Sequence, residues 1–238
     1  MPKKNKYQRV LLKLSGEVLE GDQDGGIDFK FLDVLCKEIA EVKKMGVQVA
    51  IVVGGGNFWR FRDFEKSGLD RVHSDNMGML ATVMNALALA HGFEKYNIDA
   101  VPYSAIPMEK ICATYMRDTA VETLKKGKIV LCAAGTGSPF FTTDTAAALR
   151  ALELKCDVLL KATNVDYVYN KDPHKYKNAK KYTKISYEEV LEKQLGVMDL
   201  SATALCASSR LPVLVFNLLK RGNILKAVKG ETLGTLIH

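Results

Sequence analysis

No run of apolar residues in this 238-residue chain approaches the ~18 that a membrane helix requires. The first six residues, Met-Pro-Lys-Lys-Asn-Lys, are basic like the start of a secretion signal. The apolar stretch behind them covers only residues 10–14 and is broken by Lys13, too short for a signal core. Residues 1–8 are therefore expected to be a solvated, flexible tail. The five cysteines (Cys36, Cys112, Cys132, Cys156 and Cys206) are odd in number, scattered, and form no C-x-x-C pair. That argues against a disulfide framework or a zinc site and fits a reducing cytoplasm. The four histidines are isolated, so neither a metal site nor a Ser/His/Asp set is suggested. There is no G-x-x-x-x-G-K-[ST], and the first strand-to-helix turn lacks G-x-G-x-x-G, which counts against P-loop and Rossmann dinucleotide sites. No Pro/Gly/Ser-rich linker, low-complexity tract or repeat interrupts the chain, and one domain over 1–238 is the simplest organisation.

What is present is an ordinary globular composition, 47% hydrophobic and 26% charged. The net charge is +7 and the pI about 9.0. A basic surface can attract nucleic acid, but the lysines are spread along the chain. The one dense run, 171–184, reads as a solvated loop, so nucleic acid is not an expected partner. A modest positive excess suits a site that holds two polyanionic ligands.

Strand and helix patterns alternate. Strands are expected at 9–14, 47–53, 99–103, 128–133, 157–160 and 212–216, several of them the near-continuous β-branched runs of strands buried on both faces. Asp28 is placed to cap a helix with Leu32, Leu35, Ile39 and Val42 on one face, and Gly46 to end it. Further helices are expected at about 75–93, with Leu80, Val83, Met84 and Leu87 on one face, and at 119–126, 143–154, 186–193 and 199–208. The alternation predicts an α/β fold, a three-layer α/β/α sandwich around a mainly parallel sheet. Ligands bind such sheets at the carboxyl ends of strands. Three polar, glycine-rich segments fall there: Lys13-Leu14-Ser15-Gly16, Gly54-Gly55-Gly56-Asn57, and Gly135-Thr136-Gly137-Ser138-Pro139.

Each constellation has a bland reading beside the functional one. Lys13 is either a strand-end lysine reaching solvent or a cation for a transferring phosphoryl group. The triple glycine is either a tight turn or a place where backbone N–H groups approach an anion, with a short helical segment after Asn57 and Arg60 forking onto phosphate oxygens. Gly135 to Asp144 is either an elaborate capped loop or a nucleotide site. In the second reading its four hydroxyls hold a phosphate or base edge, Phe140 and Phe141 wall a base, and Asp144 places Mg²⁺ or a lysine. Asp75 ahead of a methionine-rich helix is a cap or a ribose acceptor, with the methionines read as core filler. Lys161 to Asp166, with Tyr169, Asp172 and Pro173, lines an adenosine pocket or is strand end and turn.

Together these segments resemble the bacterial uridylate kinases of the amino-acid kinase superfamily, nearly end to end and in order. The residues that carry the resemblance are Lys13-Leu14-Ser15-Gly16-Glu17, Gly54-Gly55-Gly56-Asn57 with Arg60, and Asp75-Asn76-Met77-Gly78-Met79-Leu80-Ala81-Thr82. Ala134-Gly135-Thr136-Gly137 with residues 139–144, Leu160-Lys161-Ala162-Thr163, Val197-Met198-Asp199-Leu200 and Gly234-Thr235-Leu236-Ile237 complete it. The resemblance implies transfer of the ATP γ-phosphate to UMP in pyrimidine biosynthesis, a homohexamer, and inhibition by UTP. It implies that Lys13, Ser15, Gly16, Gly56 and Arg60 meet the ATP phosphates, that Thr163, Tyr169 and Asp172 meet its nucleoside, and that Lys161 also belongs to the ATP site. Gly55, Asp75, Thr136, Gly137, Ser138, Pro139, Phe140, Phe141, Thr142 and Thr143 hold UMP. Lys13, Arg60, Asp144 and Asp199 form the catalytic set, with no dedicated metal ligands and Mg²⁺ held mainly by nucleotide phosphates. Relatives acting on amino acids or carbamate carry a second catalytic lysine near Asp199. This chain has none in step, which favours a nucleotide acceptor and leaves Arg60 or Lys161 to supply the charge. Basic side chains that bind activating GTP between subunits of many members are replaced by Ala90, Glu94 and Val101, so GTP activation is expected to be weak or absent. Two other readings stand beside this one: a sibling kinase with another small acceptor, and a uridine-nucleotide-sensing regulator without turnover.

Overall fold

The apolar runs become the middle of a sheet because each is long enough for a strand and apolar on both faces. The computed structural model describes residues 5–60, 68–171, 173 and 175–238. Along the chain come β1 (Arg9–Leu14), a 3₁₀ turn (Gly16–Glu20), α1 (Phe29–Lys44), β2 (Gln48–Val53), α2 (Arg71–Glu94), β3 (Ala100–Ser104) and β4 (Ala113–Thr114). Then follow α3 (Arg117–Lys125), β5 (Ile129–Ala133), α4 (Thr143–Glu153), β6 (Val158–Thr163), β7 (Val168–Tyr169), β8 (Lys181–Tyr182) and β9 (Lys184–Ile185). The chain ends with α5 (Tyr187–Glu192), α6 (Leu200–Ser208), β10 (Val213–Asn217), α7 (Asn223–Lys229) and β11 (Thr235–Ile237).

The main sheet runs in the order β4-β3-β5-β2-β1-β6-β10-β11-β9. Its pairings are parallel except β10 with β11. β7 and β8 form a separate antiparallel pair. Strand alternation divides the core in two. Leu12, Leu14, Ile51, Val53, Leu131, Leu160 and Phe216 face α1, α2 and α7, whereas Leu11, Ala50, Val52, Val130, Leu159 and Val215 face α3, α4, α5 and α6. The three-layer sandwich is therefore as expected. α4 lies over β1 and β2, and its inward face (Ala146, Ala147, Ala148 and Ala151) is fully buried. Small side chains let that helix sit close to the sheet, which brings its first turn to the end of β1.

Asp28 caps α1 as expected, accepting from Lys30 N and Phe31 N. The long helix is different. It begins at Arg71, capped by Asp70, so Asp75 lies in its second turn and is not a cap. The face assigned to its core also needs correction. Val83 is buried, but Leu80, Met84 and Leu87 are exposed, and the buried line is Met79, Val83, Ala86, Leu89 and Phe93. Of the methionines beside Asp75, Met79 fills the core and Met77 does not. Residues 5–8 are held rather than free: Tyr7 is buried and Asn5 Nδ2 donates to Met45 O at 2.9 Å. The basic run 171–184 is mostly exposed, but its last residues pair as β8 and β9. The helical segment expected after Asn57 is a single turn closed by Phe58 N and Trp59 N onto Gly55 O, and beyond it residues 61–67 lie outside the described residues.

Candidate active site

Register places the site's two lysines side by side. β1 and β6 are neighbours, and Lys13 pairs with Lys161 across them. Both side chains fall on the face covered by α4. Thr142 caps that helix, accepting from Asp144 N at 3.1 Å and Thr145 N at 3.2 Å, and Asp144 stands in the first turn where a negative charge suits the helix dipole. Lys13 Nζ is 2.9 Å from Asp144 Oδ1, and Lys161 Nζ pairs with Asp144 Oδ2. Both lysines are only 9% exposed, so the reading of Lys13 as a solvated strand end is excluded. Lys13 meets Oδ1 as an ion pair without hydrogen-bond angles, and Oδ1 is a buried acceptor with no hydrogen bond.

Burial pushes the Asp144 carboxyl up, but Lys13 and Lys161 outweigh it and hold the group below the usual carboxylate range. Burial, then the nearby Lys13 charge, pulls the Lys161 ammonium below the ordinary lysine range, with Asp144 and Asp199 opposing. Asp199 caps α6, accepting from Ala202 N at 2.9 Å. It also accepts from Thr145 Oγ1 at 2.9 Å and from Thr142 Oγ1, so it ties the starts of α4 and α6 together.

Two clefts meet at this cluster. The first, about 650 Å³, is lined by Lys13, Gly55, Gly56, Arg60, Asp75, Thr136, Ser138, Phe141, Thr142, Thr143 and Asp144 among others. The second, also about 650 Å³, takes Lys161, Thr163 and Tyr169 together with Asn164, Tyr167, Val168, Leu195 and Val197. The three glycine-rich strand ends thus converge as expected. Asp172 lies outside the described residues. Ser15, Gly16, Gly137, Pro139, Phe140 and Asp199 line neither cleft.

Of the two phenylalanines expected to wall a base, only Phe141 lines the first cleft. Phe140 is 67% exposed, has a left-handed backbone (φ 69°), and donates its N–H to Asp75 Oδ2 at 2.8 Å. Asp75 is also paired with Arg71 at 2.8 Å, so it joins α2 to the 135–144 loop.

The glycine loop is packed rather than open. A Cβ on Gly55 would stand 2.7 Å from Gly78 O and 2.8 Å from Ala81 Cβ, so only glycine lets β2 end against α2. Below it, Asn57 and Asn85 exchange amide hydrogen bonds at 2.9 and 2.7 Å. Asn85 also donates to Gly54 O, and Asn57 to Gly26 O. These buried carboxamides fix the loop and tie it to the Gly21–Gly26 segment. Arg60 lies against Glu17 Oε1 at 3.4 Å and Glu20 Oε2 at 3.2 Å.

The sequence reading missed Trp59, Arg71, Met79 and Thr82, which line the first cleft. Trp59 is the single tryptophan, and its indole donates to Ser74 Oγ at 2.8 Å. Its uniqueness was the available signal. Thr82 lay within the stretch that carried the family resemblance.

Comparison with known proteins decides the family. The model of the amino acid kinase family matches residues 8–217. The uridylate kinase of Ectopseudomonas mendocina (strain ymp) is 51% identical over 233 residues, covering 98% of this chain and 94% of that protein. That of Dichelobacter nodosus (strain VCS1703A) is 46% identical over 235 residues, covering 99% and 98%. The chain belongs to the amino acid kinase family, with the uridylate kinases. Among solved structures, the UMP kinase from Bacillus anthracis matches with a TM-score of 0.95 at 38% identity over 98% of this chain and 96% of that one. The UMP kinase from Ureaplasma parvum matches at 0.92 and 35%, over 98% and 99%. A likeness of this extent carries the family's sandwich over 98% of the chain.

Proposed function

We propose that this chain is a UMP kinase: an oxygen of the UMP phosphate bonds to the γ-phosphorus of ATP, the bond to the β–γ bridging oxygen breaks, and UDP and ADP leave. The observation that carries the reading is the meeting of the two clefts at Lys13, Asp144 and Lys161. The first cleft takes UMP and the second the ATP nucleoside, through Thr163 and Tyr169 and by resemblance Asp172. Ser15, Gly16, Gly56, Arg60 and Lys161 belong to the ATP phosphates. Gly55, Asp75 and residues 136–143 hold UMP. Phosphoryl transfer asks mainly for positioning and for charge stabilisation in a dry site. Lys13 and Lys161, fixed by one buried carboxylate, supply that charge without the reorganisation that solvated lysines would need. Lys161 is the better candidate for the charge that siblings draw from a second lysine, because the β1–β6 register sets it beside Lys13 on the same carboxylate, whereas Arg60 lies against Glu17 and Glu20.

Mg²⁺ fits the donor set as a partner of the nucleotide. Among the described residues no group of three or more His, Cys, Asp or Glu is close enough to hold a metal. Mg²⁺ typically takes one or two carboxylates and fills its shell with phosphate oxygens and water, and Asp144 Oδ1 is an acceptor still without a hydrogen bond. When bound with ATP, the ion neutralises phosphate charge.

We read the protein as a cytoplasmic homohexamer inhibited by UTP at the UMP site. No helix among the described residues is long and apolar enough to cross a membrane. The cleft around Ala90, Glu94 and Val101 carries Glu94 and Asp99, and its Lys128 is paired with Asp99 at 3.0 Å. Two carboxylates there disfavour a polyanion, which supports weak or absent activation by GTP.

The test is ADP release from Mg-ATP with UMP, CMP, carbamate, aspartate or N-acetylglutamate as acceptor. Turnover with UMP alone is expected, lost in Lys13→Ala, reduced in Lys161→Ala, inhibited by UTP and activated weakly or not at all by GTP. Turnover only with another acceptor would replace UMP in this reading.

A further inference from the structure

The chain leaves β5 through a turn that has to be held. Ala134 and Gly135 both have left-handed backbones, φ 57° and 55°. A residue with a side chain keeps that conformation only where its surroundings fix it. One hold comes from α2, where Thr82 Oγ1 accepts from Ala134 N at 2.7 Å and donates to Met79 O at 2.7 Å. The other comes from α4, where Arg150 Nη2 lies 3.4 Å from Gly135 O. That contact is long, so the guanidinium serves more as a positive charge under the carbonyl than as a tight hydrogen bond.

Arg150 itself is tightly fixed. It is 5% exposed and lines neither cleft. Its Nη1 meets Glu153 Oε2 at 2.6 Å, and its guanidinium carbon lies 4.0 Å from the ring centroid of Tyr115. The Tyr115 hydroxyl donates to the same Glu153 oxygen at 2.8 Å, and the Tyr115 ring meets Tyr103 of β3 edge to face, with centroids 6.4 Å apart. Stacked, paired and desolvated, the arginine keeps one arm for Gly135. Immediately beyond Gly135 come the residues read as the acceptor site.

We infer that Arg150 is a positioning residue for the acceptor: through Gly135 it sets the direction in which residues 136–143 leave the sheet, and so the affinity for the nucleoside monophosphate, without touching it. The identity of the acceptor rests on the UMP kinase reading, whereas the strut does not. A buried ion pair with only a structural role would affect both substrates alike, or only the melting temperature.

The experiment uses full-length Arg150→Met and Arg150→Lys, with hydrogen exchange of the loop amides and steady-state kinetics. In Arg150→Met, exchange at residues 136–141 rises about tenfold while that of β6 is unchanged. KM for UMP rises about tenfold and KM for ATP stays within about twofold. Arg150→Lys keeps the charge but loses the planar stack, and falls between. Loop exchange at the wild-type rate in the folded variants, or equal rises in both KM values, overturns the inference. If Arg150→Met does not fold, Arg150→Lys decides by the same readings. A wild type that ignores UMP defeats the proposed function instead, and loop exchange still decides the strut.

Discussion

Lys13 and Lys161 lie 148 positions apart in the numbering, and nothing local in either segment announces that they share a carboxylate. The β1–β6 register makes them neighbours, and the alanine face of α4 lowers Asp144 between them. The sequence therefore named all three residues and offered Asp144 as placing a lysine, but not that one carboxylate holds both lysines, because register between non-consecutive strands leaves no local trace. Removing the carboxylate leaves two buried ammonium groups without their shared counter-charge, so Asp144→Asn should cost about 3 kcal/mol at neutral pH. The Asp144 carboxyl is depressed in the folded state, so the unfolded chain takes up the proton first as pH falls. Its contribution is complete above the unfolded value of about 3.9 and is lost as pH falls through the lower folded value. Urea midpoints of wild type and Asp144→Asn should thus differ most near pH 7 and converge on acidification below about pH 4. A gap that stays constant with pH would deny the pair its electrostatic role.

At the scale of elements, long buried strands were legible from their β-branched runs, whereas β4, β7, β8 and β9, each of two residues, are too short to carry a period. The start of α2 was misread because Asp70 and Asp75 are both plausible caps by type. The helix uses the first, which accepts from Val72 N and His73 N. The second is thereby released to hold Arg71 and Phe140 N beside the first cleft. The two aspartates should separate cleanly. Asp70→Ala should lower the melting temperature by a few degrees with KM for UMP little changed, because what loses a partner is two helix-end N–H groups and the exposed His73 ring. Asp75→Asn should leave the melting temperature nearly intact and raise KM for UMP severalfold, because Phe140 N loses a charged acceptor and the loop its tie to α2. Melting curves and UMP kinetics on the two variants check this, and the reverse pattern would return the capping role to Asp75.

For the whole molecule, the alternation of apolar runs was enough to predict the sandwich, because a sheet covered on both faces leaves strands and helices little choice of place. What one chain's sequence could not separate is the face of α2 that meets its own core from the face it presents outward, since both are apolar. Met77, Leu80, Met84 and Leu87 stay 36–52% exposed although the opposite side of the helix is buried. Apolar patches of this kind mark interaction surfaces. Their spacing of three, four and three is symmetric about position 82. A second copy running antiparallel across a two-fold axis therefore meets the same ladder of positions, as an isologous interface requires. That supports self-association through α2 as one contact of the proposed hexamer. Asp75, Gly78, Met79 and Thr82 of the same helix line the first cleft, so this contact would stiffen one wall of the cleft proposed for UMP. The double variant Leu80→Glu, Met84→Glu places charges on the ladder without touching the core. Light scattering should show a fall in molecular mass with the fold intact by circular dichroism, and KM for UMP should rise more than KM for ATP. A double variant that keeps the wild-type mass would remove this face of α2 from the assembly, and a wild type that is monomeric at assay concentrations would remove the hexamer itself.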